Sequence, residues 1–128
     1  MIPPNILSLQ TVLVSGEIVF NRIPMPDEYD RMVMHIYLED VSFADAPARV
    51  ITSLVIDRIP SDARTKGRVP FIIQGSIPDN KSRYSIRVHV DLDGDGKISK
   101  GDYINTVSYP VLTYGNPEHV EVRVEVVE

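Results

Sequence analysis

From Val120 to Val126 the chain alternates valine with a charged residue at every step, as Val120-Glu121-Val122-Arg123-Val124-Glu125-Val126. Residues two apart fall on opposite sides of a helix but on the same side of a strand, so only a strand gathers these valines on one buried face. Tyr84-Ser85-Ile86-Arg87-Val88-His89-Val90 obeys the same rule, with Tyr84, Ile86, Val88 and Val90 facing inward. Val12, Val14, Gly16, Ile18 and Phe20 share one face of a first strand. Arg31–Glu39 is apolar on both parities, which suits a central strand or one covered on both sides, and Val50–Asp57 is rich in β-branched residues. Val69–Gln74 contains Pro70, which predicts an edge position where the missing N–H costs no ladder bond. Tyr103–Leu112 is interrupted by Pro110, where a bend is expected.

Between these runs lie turn signals such as Pro24-Met25-Pro26-Asp27, Ala46-Pro47-Ala48, Pro78-Asp79-Asn80 and Gly115-Asn116-Pro117. No window reads as a helix, since Pro60 limits Asp57–Lys66 to about a turn. Short strands without helical crossovers predict an all-β fold: a single antiparallel β-sandwich of about seven strands, one domain over residues 1–128.

Composition removes several functions. A net charge of −5 disfavours nucleic acid and anionic membranes, both of which attract basic surfaces. The absence of cysteine excludes disulfides, thiolate metal sites and cysteine nucleophiles, and leaves the compartment open. The opening Met1-Ile2-Pro3-Pro4-Asn5 lacks the features of a signal peptide, and no stretch approaches the roughly 18 apolar residues of a membrane span. A soluble chain that does not itself insert into a membrane is expected.

One segment carries chemistry. Asp91-Leu92-Asp93-Gly94-Asp95-Gly96-Lys97-Ile98-Ser99-Lys100-Gly101-Asp102 places oxygen side chains at positions 1, 3, 5, 9 and 12 of a twelve-position calcium loop, with glycine at 6 and an aliphatic residue at 8. Calcium takes several oxygens at once, and carboxylates crowded into one loop repel one another without a cation. Asp91, Asp93 and Asp95, the main-chain carbonyl of Lys97, Ser99 and Asp102 are the expected ligands, with Ile98 turned into the core. The flanks read as strands, so a structural site is expected rather than a sensor that opens a helix pair, with a dissociation constant on the order of 10⁻⁵ to 10⁻³ M. A bare acidic hairpin is the plainer alternative, because Asp-Gly pairs are common in turns.

The loop resembles dockerin-type calcium loops, over these twelve residues only. A broader resemblance runs through Val33-Met34-His35-Ile36-Tyr37-Leu38-Glu39-Asp40-Val41-Ser42-Phe43-Ala44-Asp45-Ala46-Pro47-Ala48-Arg49-Val50-Ile51. This is similar to the strand–loop–strand signature of the YbaY-like lipoproteins and YscW-type secretion pilotins. Gly16-Glu17-Ile18, Val69-Pro70-Phe71 and Tyr84-Ser85-Ile86-Arg87-Val88 extend the likeness over most of residues 12–126. The resemblance implies a small β-sandwich with no assigned activity, or with a chaperone-like role toward a secretion component. This chain has no cysteine to carry a lipid, and it has an acidic loop where the family usually has a plainer turn.

Other polar residues read more simply. Asp40, Ser42 and Asp45 suit side-chain turns onto their own backbone. His35, His89 and His119 lack close ligand spacing, and the parities of His89 and His119 predict solvated faces. No Gly-x-Ser-x-Gly elbow or phosphate-binding glycine loop is present. The expected function is a non-enzymatic, calcium-stabilised binding or structural module that contacts a partner protein. A carbohydrate-binding or adhesive module using Tyr103, Tyr109 and Tyr114 is the alternative, and a metal-dependent hydrolase is a third reading.

Overall fold

The computed structural model describes residues 9–78 and 80–128. The strands are β1 (Gln10–Phe20), β2 (Val33–Asp40), β3 (Arg49–Ile56), β4 (Arg68–Ile77), β5 (Tyr84–Asp91), β6 (Tyr103–Ile104), β7 (Pro110–Val111) and β8 (His119–Val126). They form one sheet in the order β3-β2-β5-β6-β8-β1-β4, with β7 beside β5. The fold is all-β in character, but the sheet curls almost into a barrel rather than splitting into the two layers of a plain sandwich. Its two ends meet where β4 passes β3: a Cβ added to Gly75 would lie 2.9 Å from Thr52 Cγ2 and 3.5 Å from Ile51 Cγ2.

The expected antiparallel order holds for most pairs but fails for β1 and β8, which run parallel with Gly16 opposite Val120 and Ile18 opposite Val122. Alternation fixes which face of a strand is buried and says nothing about the direction of its neighbour. The inward faces are those expected. Val14, Ile18, Val88, Val90 and Val122 are fully buried, each stabilising the fold by roughly 1.5–3 kcal/mol. Gly16 has no room for a side chain, because an added Cβ would sit 2.1 Å from the Val120 carbonyl oxygen and 2.9 Å from the Phe71 ring. β2 is interior, paired on both sides, and Pro70 lies on β4, which among the described residues pairs only with β1.

Two short helices replace the expected turns. α1 (Pro26–Arg31) starts on Pro26, whose fixed φ suits a first helical position, and the Met25 N–H donates to Glu28 Oε1 at 3.1 Å. α2 (Ser61–Lys66) begins just after Pro60 and stops at Gly67, which adopts φ +65°. Pro60 thus precedes the helix instead of breaking it. Tyr29 of α1 is buried, donates to the Arg64 carbonyl of α2 at 3.1 Å and meets Phe20 edge-on, so both helices join the core.

The expected strand over Tyr103–Leu112 is two fragments, and the break lies at residues 105–109 rather than at Pro110. Within that break Asn105 Oδ1 accepts the Val88 N–H at 2.8 Å, replacing a ladder bond that β5 would otherwise lack.

Candidate functional site

The acidic loop leaves the end of β5 and returns at β6. Asp91 closes β5 and is buried; its Oδ1 accepts from the N–H groups of Asp93 (3.2 Å) and Gly94 (3.0 Å), and its Oδ2 from Gly96 (2.8 Å). These bonds wind the chain around one carboxylate, and the left-handed turn at Gly96 (φ +75°) is open to glycine at little cost. Asp93 and Asp95 follow on the exposed side, and ligand oxygens of Asp91, Asp93 and Asp95 lie within 4.8 Å of one another. Two oxygens bound to one calcium at 2.3–2.6 Å stand at most about 5 Å apart, so this set fits a hard cation. Ser99 Oγ donates to Asp93 Oδ2 at 2.8 Å, which places the ninth position beside the third. That bond, followed by those of its aspartate neighbours, holds the Asp93 carboxyl down at about 2, so it is charged at neutral pH. Lys97 sits exposed on the outer turn, as does Lys100.

Asp102 adjoins this oxygen cluster from the buried side, with a ligand oxygen within 4.8 Å of one of Asp91. It is buried, and its Oδ1 accepts from the Leu92 N–H (3.1 Å) while its Oδ2 accepts from the Ser99 N–H (3.2 Å) and faces His89 Nε2 at 2.7 Å. Asp102 thereby ties the start of the loop to its end. His89, Asp91 and Asp102 form a second, fully buried group whose ligand atoms also lie within 4.8 Å.

Two expectations are corrected here. His89 is 3% exposed rather than solvated: its parity is as read, but the outer face of β5 is covered by the returning loop, and its ring stacks on His35 at 5.8 Å. Ile98 is 54% exposed instead of packed inward. The anchoring expected of it is supplied by the His89–Asp102 bond.

The remaining histidine, His119, is exposed and bonds Ser15 Oγ through Nδ1 at 2.8 Å. Asp40 and Ser42 form the expected turn, with the Ser42 N–H and Oγ donating to Asp40 Oδ1 at 2.9 and 2.6 Å. The three tyrosines do not form one patch. Tyr103 Oη donates to Glu28, Tyr109 Oη accepts from the Arg123 N–H, and Tyr114 Oη donates to the Lys81 carbonyl.

Beside the loop lies a groove of about 730 Å³ between α1, the segment before it, β6 and the end of β8. Its walls include Ile23, Met25, Glu28, Tyr103 and Val126. The loop and groove share backbone, since the Gly101 N–H donates to the Val127 carbonyl (2.8 Å) and the Val127 N–H to that of Asp102 (2.7 Å). Sequence reading passed over this groove because Pro24-Met25-Pro26 resembles a turn. Two apolar residues, Ile23 and Met25, flanking a proline with no polar partner in sequence were the available signal.

The chain matches no known protein-family model. It is similar to no curated protein sequence. Among solved structures it is similar to an alternative pilotin from the type II secretion system of Vibrio cholerae, at 26% sequence identity and a TM-score of 0.69. The match covers 93% of this chain and 99% of that one. The chain therefore has a pilotin-like fold. Among the described residues no helix is long and apolar enough to cross a membrane.

Proposed function

We propose that this chain is a non-enzymatic, pilotin-like module that binds a partner protein of a secretion assembly. The observation that carries this reading is the likeness to the Vibrio cholerae pilotin along nearly the full length of both chains. The same kinship accords with the resemblance of residues 33–51 to secretion pilotins. Deleting the gene in its source organism should impair secretion, and a chain cross-linked in place should capture a component of the secretion machinery. Normal secretion in the deletion strain sinks the proposal.

The second part of the reading is that the loop binds calcium as a structural ion. It is motivated by the three aspartates drawn around one point and by the all-oxygen donor set. Asp91, Asp93 and Asp95 would hold the ion, with Ser99 and the Lys97 carbonyl beside them, and Asp102 would close the loop. The ion's chemistry is charge neutralisation, which stiffens the loop that borders the groove. Calorimetric titration of metal-stripped protein should show binding in the 10⁻⁵ to 10⁻³ M range expected of a weak structural site. At a hundredfold excess over the dissociation constant the fold should gain about 2.7 kcal/mol. No heat and no melting shift at millimolar calcium removes this part and leaves the first intact.

A further inference from the structure

We propose that a concavity at the end of the sheet away from the acidic loop binds a carboxylate carried on a compact apolar body. This goes beyond the pilotin-like and calcium readings and depends on neither. Tyr84, which opens β5, lies in this concavity, whereas Asp91, which closes β5, begins the loop. The space is about 390 Å³, enough for a small ligand.

Arg83 is the one charged residue in its walls, in a chain whose net charge is −5. Among the described residues no carboxylate pairs with Arg83. Asp40, whose register partner is Tyr84, turns its Oδ1 to the Ser42 N–H and Oγ instead. In the groove beside the acidic loop, by contrast, Arg22 faces Glu28, Glu125 and Glu128. Of the two hollows only this one attracts an anion.

The guanidinium lies over the Tyr114 ring, 4.5 Å from its centroid. An arginine held over a ring still has N–H groups along its edge, which match a carboxylate two bonds at a time. One guanidinium balances one carboxylate, while a phosphate dianion calls for further cations. Ser108 and Asn116 add polar groups to the wall, and Val41, Pro110 and the two tyrosine rings supply the apolar surface for the body of the ligand.

The seat of the arginine is strained. Among the described residues Leu112 and Tyr114 are the non-glycine residues with positive φ, at +74° and +57°, a region that a β-carbon disfavours. Hydrogen bonds hold the turn there. Thr113 Oγ1 donates to the Ser82 carbonyl at 2.7 Å, Tyr114 Oη to the Lys81 carbonyl, and Asn116 Nδ2 to the Thr113 carbonyl at 2.8 Å. The first two tie the turn to the segment that carries Arg83, so cation and ring are set before a ligand arrives. A turn that only reversed the chain would be served better by glycine or asparagine. Tyrosine at this position keeps a ring beneath Arg83, and strain of this kind gathers at ligand sites.

The test is an NMR titration of the isotopically labelled full chain with 3-phenylpropionate, its amide and inorganic phosphate. The acid should shift the resonances of Arg83, Tyr114 and Asn116, with a dissociation constant of about 1 mM. The amide and phosphate should each bind about tenfold more weakly or worse. Arg83→Gln, on an exposed side chain, should weaken the acid about tenfold and leave the melting temperature unchanged. Arg83→Lys, which keeps the charge and loses the fork, should also weaken it. A blocked tripeptide ending in phenylalanine with a free carboxylate separates two sources of the same chemistry. Tighter binding than the free acid assigns the site to a chain terminus, and weaker binding assigns it to a small free acid. Equal binding of the amide or of phosphate, shifts centred away from Arg83, full affinity in both Arg83 variants, or no saturable shift at all would each overturn the proposal.

Discussion

The wall made by β1, β4 and β8 and the acidic loop at the end of β5 both depend on glycine, for opposite reasons. Gly16 sits in the wall because nothing larger than hydrogen fits between the Phe71 ring and the Val120 carbonyl. Gly96 sits in the loop because the backbone turns to a positive φ there, in open space with nothing within 4 Å of where a Cβ would be. The wall is constrained by volume and the loop by conformation and charge. A change in one region should therefore respond to different variables than a change in the other.

The largest break is expected in the wall. Gly16→Ala forces a methyl into backbone, and neither Val120 nor the parallel β1–β8 register can give way without losing hydrogen bonds. A loss of about 3 kcal/mol is expected, at the upper end of overpacking costs, and calcium should not rescue it. Urea unfolding with and without calcium checks both points.

Asp95→Asn probes the loop. Asp95 is exposed, so the metal-free protein should unfold within about 0.5 kcal/mol of the parent. What it should lose is most of the calcium-linked gain of about 2.7 kcal/mol at hundredfold excess. Thermal melts at matched calcium concentrations separate the two terms. Equal calcium response in parent and variant would remove Asp95 from the ion.

His89→Leu lies between the regions. It leaves Asp102 buried without its 2.7 Å partner, and a cost of about 2 kcal/mol is expected even without calcium. His89→Gln, which retains a donor, should recover part of it. If both variants melt like the parent, the His89–Asp102 bond does not anchor the loop.

The two regions also differ in how far the sequence discloses them. Strict alternation made the buried faces of β1, β5 and β8 readable, because period 2 follows from strand geometry alone. The parallel pairing of β1 with β8 was not readable, since partner direction depends on chain path rather than on parity. The helices escaped because Pro26 and Pro60, breakers inside a helix, are acceptable at or before its first turn. In the loop, the spacing of Asp91, Asp93 and Asp95 was enough to foresee their convergence. His89 was misjudged because a solvated outer face is assumed until something folds over it, and here the covering residue is Asp102, thirteen positions later. Ile98 was expected inward by analogy with loops between helices, whereas this loop is held by hydrogen bonds between strand ends.

The finest test of the comparison concerns Tyr103, which belongs to both the loop's exit and the groove. Burial, reinforced by the hydrogen bond to Glu28, pushes its hydroxyl from 10.0 up to about 12. The folded chain thus keeps this proton where the unfolded chain releases it. Below pH 10 the two states hold it equally, and its contribution to stability is intact. Between about pH 10 and 12 the unfolded state alone ionises, so stability declines through that window. Because the ring is only partly buried, the decline should be modest. Absorbance titration should show one tyrosine ionising late, and Tyr103→Phe should abolish that step and flatten the alkaline loss. An unchanged late step in Tyr103→Phe would assign it to another ring, with Tyr29, whose hydroxyl burial also pushes up, the first to examine. The groove floor would then be more open to water than the edge-on packing of Tyr103 against Phe20 and its bond to Glu28 imply.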